Sequence, residues 1–223
     1  MSVLDFGRRP SFKLKKVESQ LKRATDKFAE LLPKQFRDEF KEKSFLGGGA
    51  IYCLYNGKEP KDYDFFLKDK ELGDRLRTYF VDNDRLKYKN GVLVSTYNNK
   101  RLVVTDNAIS IGDYQIITRW SGTPKEVIRE FDFKHNMYYF CNNRIEALTK
   151  WKYLDDNKLY YNEERARDIC GTIIRVKKFV ERGFTITNSE MSKMLLKLHD
   201  VGFNERELEI LKSHDENRNN FGS

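Results

Sequence analysis

From Phe12 to Lys43 the apolar residues Leu14, Val17, Leu21, Phe28, Leu31 and Leu32 return at three- to four-residue spacing with basic residues between them, the pattern of an amphipathic helix. Pro33 ends that helix, and a second one builds on Phe36 and Phe40. Ala50 to Tyr55 reads as a short apolar helix and Asp62 to Leu67 as a strand, with Asn56-Gly57 and Glu59-Pro60 as turn signals between them. Lys70 to Val81 returns to helical spacing and buries Leu72, Leu76, Tyr79 and Phe80. Leu93 to Thr96 and Leu102 to Thr105 read as strands joined through Asn98-Asn99; Ala108 to Ile111 and Tyr114 to Arg119 are joined through Gly112-Asp113. Thr123 then caps a helix that has Pro124 at its first position; if Glu130 to Met137 is a strand, Phe131 and Phe133 face one side and Asp132 the other.

From Glu146 onward the period becomes helical throughout. One stripe runs through Ala147, Leu148, Trp151 and Leu154, and another through Ile169, Ile173, Val176, Phe179 and Val180, closed by Gly183. Ser189 is the expected cap of a helix carrying Met191, Met194, Leu195 and Leu198, and a last short helix forms around Leu208, Ile210 and Leu211. Met1 to Ser11 and Asn217 to Ser223 carry no such pattern and are expected to fray. Strands interrupted by helices, then helices alone, define an α+β chain with a mixed or antiparallel sheet, flanking helices and a C-terminal helical domain. The expected boundaries are an N-terminal helical segment at 1–43, a head at 44–140 and a helical domain at 141–223.

A chain of 223 residues can bury a sheet under helices, and 16 Phe and 12 Tyr supply much of that interior. The exterior is very polar, with a mean hydropathy of −0.73. The net charge of +8 favours a polyanionic partner, nucleic acid or a nucleotide polyphosphate. Much of it sits in the first 43 residues, where 12 Lys or Arg face 7 Asp or Glu. That segment either touches nucleic acid or is the solvated face of a packing helix. Cys53, Cys141 and Cys170 are widely spaced among apolar residues, which suits reduced core cysteines of a cytosolic protein better than a zinc site or a disulfide framework. Neither a signal peptide nor a long apolar run is present, so the expected location is cytoplasmic, the host cytoplasm for a phage-encoded chain.

The densest chemistry lies between Phe45 and Leu67. Gly47, Gly48 and Gly49 follow an apolar pair and open the short helix; glycines there permit positive φ and let a phosphate approach backbone N–H groups. Asp62 and Asp64 are two apart in a strand and therefore share a face, where paired carboxylates can hold Mg²⁺ or Mn²⁺ and receive a triphosphate.

Glycines, short helix, turn at Pro60-Lys61 and then Asp62-x-Asp64 resemble the head of the poly(A) polymerase and tRNA nucleotidyltransferase group, in the DNA polymerase beta-like nucleotidyltransferase superfamily. The resemblance implies a nucleotidyltransferase-like mixed sheet, glycines that contact the incoming nucleoside triphosphate, and metals on Asp62 and Asp64. It also implies a third carboxylate on a later strand, for which Asp132, between Phe131 and Phe133, is the match. One departure stands: where the group has Arg-Asp in the helix after the glycines, this chain has Tyr52-Cys53. The run from Ile173 to Leu198 resembles a helical region behind the head of small phage-encoded nucleotidyltransferase-like proteins.

The implied reaction is attack by an acceptor hydroxyl on the α-phosphorus of a nucleoside triphosphate, releasing pyrophosphate. Lys61, Arg119 and Lys134 are candidate phosphate contacts. His135 has no Cys or His partner at metal spacing and reads as a local hydrogen bond or a phosphate contact. Arg175, Lys177, Lys178 and Arg182 either line an acceptor-RNA groove or form an outer helix face. The acceptor is open among an RNA 3′ end (tRNA included), a protein hydroxyl and another nucleotide. Beside transfer to RNA stand two alternatives, an inactive RNA-binding or inhibitory protein on the same scaffold and a toxin-like transferase acting on a host protein or tRNA.

Overall fold

Phe28, on helix α1 (Ser11–Leu31), meets the rings of Phe40, Phe65 and Tyr114, which ties the amphipathic stripe of that helix to the sheet beneath it. The computed structural model describes residues 6–83, 86–89, 92–165, 168–209 and 211–212. Residues 1–5, Ile210 and the expected fraying end from Asn217 lie outside the described residues. The chain forms two compact units. One holds the chain up to Phe131 together with His135–Asp156; the other holds Asp132–Lys134 and the chain from Asn157 onward.

The first unit follows α1 with α2 (Arg37–Lys43), β1 (Ser44–Gly47), α3 (Gly49–Tyr55), β2 (Tyr63–Leu67) and α4 (Lys70–Asn83). The strands β3 (Lys87–Lys89), β4 (Val92–Tyr97), β5 (Lys100–Val104), β6 (Ala108–Ile111) and β7 (Tyr114–Ser121) come next. Helix α5 (Pro124–Arg129), β8 (Tyr138–Cys141) and β9 (Arg144–Ala147) complete the unit. The nine strands make one sheet in the order β3-β4-β5-β6-β7-β2-β1-β8-β9. β2 and β7 pair in parallel, and the other neighbours are antiparallel.

Alternation along β2 sorts its residues between two apolar layers. Tyr63 and Phe65 point toward the helical layer, Tyr63 stacking on Tyr114 and Phe65 meeting Phe28 and Phe40. Asp64 and Phe66 take the other face, where Phe66 joins Phe45, Val127, Ile128, Met137 and Tyr139. Gly73 lets α4 close on the sheet, since a Cβ there would sit 3.3 Å from Leu67 Cδ1 and 3.4 Å from Thr118 Cγ2. Arg77 of the same helix donates to the Asp106 carbonyl at 3.1 Å and to Thr118 Oγ1 at 2.7 Å.

The hairpins β4–β5 and β6–β7 form where the alternation predicts them, and Asn98 and Asn99 take the positive φ of 48° and 59° that such a two-residue turn needs. Two expectations are corrected. Residues 130–137 are not a strand: Asp132 lies in a bend and Lys134–Asn136 form a 3-10 turn. The stripe from Ala147 to Leu154 is not a helix but the end of β9 and a 3-10 turn at Trp151–Leu154. The cause is the β8–β9 hairpin, closed by Asn142 and Asn143 at φ 51° and 60°. β8 is apolar without alternation, Tyr138, Tyr139 and Phe140 being buried, so it carries no two-residue period. The first unit extends past residue 140 to Asp156 and includes α1 and α2.

In the second unit α6 (Ile169–Glu181) and α7 (Asn188–Val201) close over Phe133, Leu159, Tyr161 and Met194. Thr187, not Ser189, caps α7, its hydroxyl accepting from the Glu190 N–H. Buried Glu190 is compensated by the Tyr161 N–H at 2.7 Å and by Lys193 at 2.8 Å. Among the described residues Cys53, Cys141 and Cys170 form no disulfide. Among the described residues no helix is long and apolar enough to cross a membrane.

Candidate functional site

Strand β1 ends on the glycines, and the backbone there is shaped for glycine alone. Gly48 has φ 81° and ψ −154°, a region closed to residues with a Cβ. A Cβ on Gly48 would stand 3.4 Å from Asp64 Oδ2 and 3.8 Å from Phe131 Cε2, so the Asp64 carboxylate lies against the glycine corner. A Cβ on Gly47 would come within 2.7 Å of Ile128 Cδ1, whereas one on Gly49 would have nothing within 4 Å. The corner is thus packed below at Gly47 and open above at Gly49.

Asp62 sits one residue before β2, half-buried beside the exposed Lys61. The entry to the strand is fixed by the Tyr63 N–H, which donates to the Asp113 carbonyl at 2.8 Å, and by the stack of Tyr63, Tyr114 and Phe28. Burial raises the Tyr63 phenol above its ordinary pKa, helped by Glu59, Tyr114 and Asp113; burial and Asp113 do the same for Tyr114. Both stay neutral and serve as packing. His135 is buried with its ring 5.3 Å from that of Tyr52, and burial pushes its pKa down to about 3. A buried neutral imidazole is no phosphate contact, which corrects that expectation. Tyr52 donates its hydroxyl to the Asp156 carbonyl at 3.0 Å, so the position that departs from the Arg-Asp pattern is structural in this chain.

Register identifies what stands beside Asp64. Asp64 pairs with Gly47 on β1 and with Gln115 on β7, and the row continues through Ser110 on one side and Tyr139 and Glu146 on the other. Directly paired residues share a face, so Gln115 is the side chain next to Asp64. Sequence reasoning passed over Gln115 because its significance comes from strand order, which the spacing of residues along the chain does not contain.

Asp132, the expected third carboxylate, has another occupation within the second unit. Its oxygens accept from Arg175 Nε at 2.6 Å and Nη2 at 2.9 Å, from the Thr172 hydroxyl at 2.7 Å, and from the guanidinium of Arg165. Asp168 joins the cluster, meeting Arg175 at 3.0 Å and capping α6 at the Gly171 N–H. Gly171 is required there, since a Cβ would lie 2.2 Å from Asp168 Oδ1. Arg175 is therefore committed to carboxylates of its own unit. Lys177 pairs loosely with Glu181 at 3.9 Å, Lys178 is exposed on the same helix, and Arg182 is exposed at its C-terminal cap. Arg119 is exposed with its guanidinium 5.2 Å from the Trp120 ring, and the Lys134 backbone N–H donates to the Tyr160 carbonyl. Among the described residues no group of three or more His, Cys, Asp or Glu side chains is placed to hold a metal ion.

A sheet with a parallel β2–β7 pair, a glycine corner at the end of β1 and a carboxylate against it define a nucleotidyltransferase-like fold. Solved structures agree: a Thermotoga maritima CCA-adding enzyme complexed with tRNA matches with a TM-score of 0.52 and 15% identity, covering 86% of this chain and 46% of that one. A CCA-adding enzyme in complex with CTP matches with a TM-score of 0.52 and 16% identity, over 86% of this chain and 47% of that one. Within that fold class the chain belongs to the Gabija anti-defense 2 family, whose pattern matches residues 19–160. The protein "Gabija anti-defense 2" of Bacillus phage SPbetaL7 is 25% identical over 169 residues, 74% of this chain. This chain spans 39% of that relative's length.

Proposed function

We propose that this chain is an anti-defence protein that works through its glycine corner, holding a nucleoside triphosphate with Mg²⁺ or Mn²⁺ at Asp62 and Asp64 and passing the nucleoside monophosphate to an acceptor hydroxyl. The observation that carries this reading is the Asp64 carboxylate lying against Gly48, with open space at Gly49 beside it. Hard carboxylate oxygens are the donors that these cations take, and two of them suit a cation that arrives with the triphosphate and keeps part of its water. Bound there, the cation would neutralise phosphate charge and lower the pKa of the acceptor hydroxyl. The chain's own part is positional: Gly48 keeps the approach clear, the Tyr63–Tyr114 stack holds Asp62 and Asp64 in place, and Lys61 and Arg119 supply positive charge. The oxygen of the acceptor forms the new bond to the α-phosphorus, and pyrophosphate leaves.

An RNA 3′ end is the acceptor we favour, because the structurally similar enzymes are described with tRNA and with CTP. The setting is the cytoplasm of a phage-infected host, as the phage relative suggests. A second reading, a nucleotide-binding inhibitor without turnover, is favoured by the engagement of Asp132 with Arg165 and Arg175. The deciding experiment incubates protein, Mg²⁺ or Mn²⁺ and each labelled nucleoside triphosphate with total RNA and cell extract. Label should enter RNA with the parent protein and fall at least about a hundredfold with Asp62→Asn or Asp64→Asn, whose thermal unfolding should stay close to the parent's. Undiminished labelling by both variants would sink the transfer mechanism. No labelling by the parent, together with anti-defence activity retained by Asp64→Asn, would select the inhibitor.

A further inference from the structure

We propose that a cavity under helices α1 and α2, at the other end of β1 from the glycine corner, binds a small sugar phosphate. This site goes beyond the function proposed above and does not depend on it. The cavity measures about 400 Å³, within the roughly 300–1,000 Å³ of small-molecule sites, and every residue lining it lies in the first unit. Its floor is apolar: Leu46 with its cross-strand partners Phe65 and Phe140, on the helical side of the sheet. Its rim is polar, with Lys22, Thr25 and Asp26 from α1, Lys41 from α2, Ser44 from the start of β1 and Asn142 from the β8–β9 turn. Ser44 stands three residues, about 10 Å of strand, before Gly47, and Asp64 points to the opposite face.

Ser44 is the residue that calls for a ligand. It is 7% exposed and its N–H donates to the Phe40 carbonyl, yet its hydroxyl, which lines the cavity, makes no hydrogen bond with any described residue. A buried hydroxyl in that condition is unfavourable until a group from outside supplies a partner. The Asn142 side-chain amide is likewise without a partner among the described residues, on a turn fixed by its φ of 51°. Across the cavity Asp26 accepts from Lys22 at 2.7 Å and lies 3.7 Å from Lys41, so two ammonium groups share one carboxylate. The hydrogen bond from Lys22 holds Asp26 below the usual carboxylate range against the effect of burial, so it stays an ionised acceptor. The Thr25 hydroxyl donates to the Leu21 carbonyl at 2.9 Å, which leaves its oxygen free to accept.

This set recognises two kinds of group. A phosphate suits Lys41, whose contact with Asp26 is loose, together with the two N–H bonds of Lys22 that Asp26 does not take. Sugar hydroxyls, each a donor and an acceptor at once, suit Asp26 and Thr25 on one wall and Ser44 and Asn142 on the other. The C–H face of the sugar ring then lies on the floor of Leu46, Phe65 and Phe140. An apolar chain in the same space would leave the rim desolvated and unpaired.

The test is calorimetric titration of the full chain with ribose 5-phosphate, ribose and inorganic phosphate as probes. Ribose 5-phosphate should bind saturably, one per chain, and at least about tenfold more tightly than either fragment. Lys41→Ala and Ser44→Ala should each weaken it about tenfold. Ser44→Ala should melt no lower than the parent, because an unpartnered hydroxyl adds nothing to the unliganded fold. Asp64→Asn should bind the sugar phosphate as the parent does. The proposal is overturned by an absence of saturable binding, by inorganic phosphate binding as tightly as ribose 5-phosphate, or by parent-like affinity in both Lys41→Ala and Ser44→Ala. Binding lost in Asp64→Asn but kept in those two variants would move the ligand to the glycine corner and overturn it as well.

Discussion

Asp132 illustrates how a residue's neighbours decide its job. A carboxylate between two phenylalanines reads as a strand residue facing a site, yet its side chain is only 14% exposed and is clamped to Arg165, itself 7% exposed. Removing one partner of such a pair strands the other charge, a loss of about 3–5 kcal/mol. Asp132→Ala should therefore speed hydrogen exchange of the α6 and α7 amides while leaving Mn²⁺ binding unchanged; unaltered exchange with lost Mn²⁺ would return Asp132 to the metal site. His135 makes a second residue-scale prediction. Its folded pKa of about 3 lies below the unfolded value of about 6.5, so the unfolded chain takes up a proton first as pH falls. The stabilisation is complete above pH ~6.5 and is lost toward pH ~3, with a slope of up to about 1.4 kcal/mol per pH unit. His135→Leu should flatten that part of the acid-unfolding profile relative to the parent, and identical slopes would show that the buried imidazole is protonated in the fold.

At the scale of elements, legibility followed alternation. β4, β5, β6 and β7 were readable because each alternates and is bounded by Asn-Asn or Gly-Asp turns, and β2 because Asp62-x-Asp64 precedes an apolar run. β8 and β9 were not, since a strand buried on both faces has no two-residue period and the residues after it mimic a helical stripe. The same reasoning explains the site. Asp64 and Gly48 were legible because both lie in one short stretch, whereas Gln115 and the pair Arg165 and Arg175 acquire meaning only through long-range pairing. Helix α6 shows the effect on function: of its expected nucleic-acid contacts, Arg175 is spent internally and Lys178 and Arg182 remain exposed. If α6 meets RNA, Lys178→Ala with Arg182→Ala should weaken RNA binding and reduce the slope of log affinity against log salt by roughly one to two, while triphosphate affinity is kept. Equal slopes for variant and parent would assign these charges to a solvated face.

On the scale of the whole molecule, many basic residues sit in ion pairs such as Lys22–Asp26, Lys43–Asp69 and Arg75–Glu39, so a basic stretch of sequence is not by itself an open positive patch. The density of basic residues is therefore a poor guide to where a polyanion would bind. The glycine corner has a cost in time. β2 and β7 are the parallel neighbours in the sheet, and the chain must lay down α4 and the β3–β6 strands before Asp64 can meet Gln115. The β4–β5 and β6–β7 hairpins close locally, whereas the parallel pair waits for a long loop to close. The row through Gly47, Asp64 and Gln115 should thus be the late part of folding: conservative substitutions in β4 or β5 should slow refolding, and Phe66→Leu in β2 should chiefly speed unfolding, giving φ-values high in the hairpins and near zero at the corner. A newly made chain would, on this ordering, acquire its hairpins before the two ends of its sheet are joined at the glycine corner.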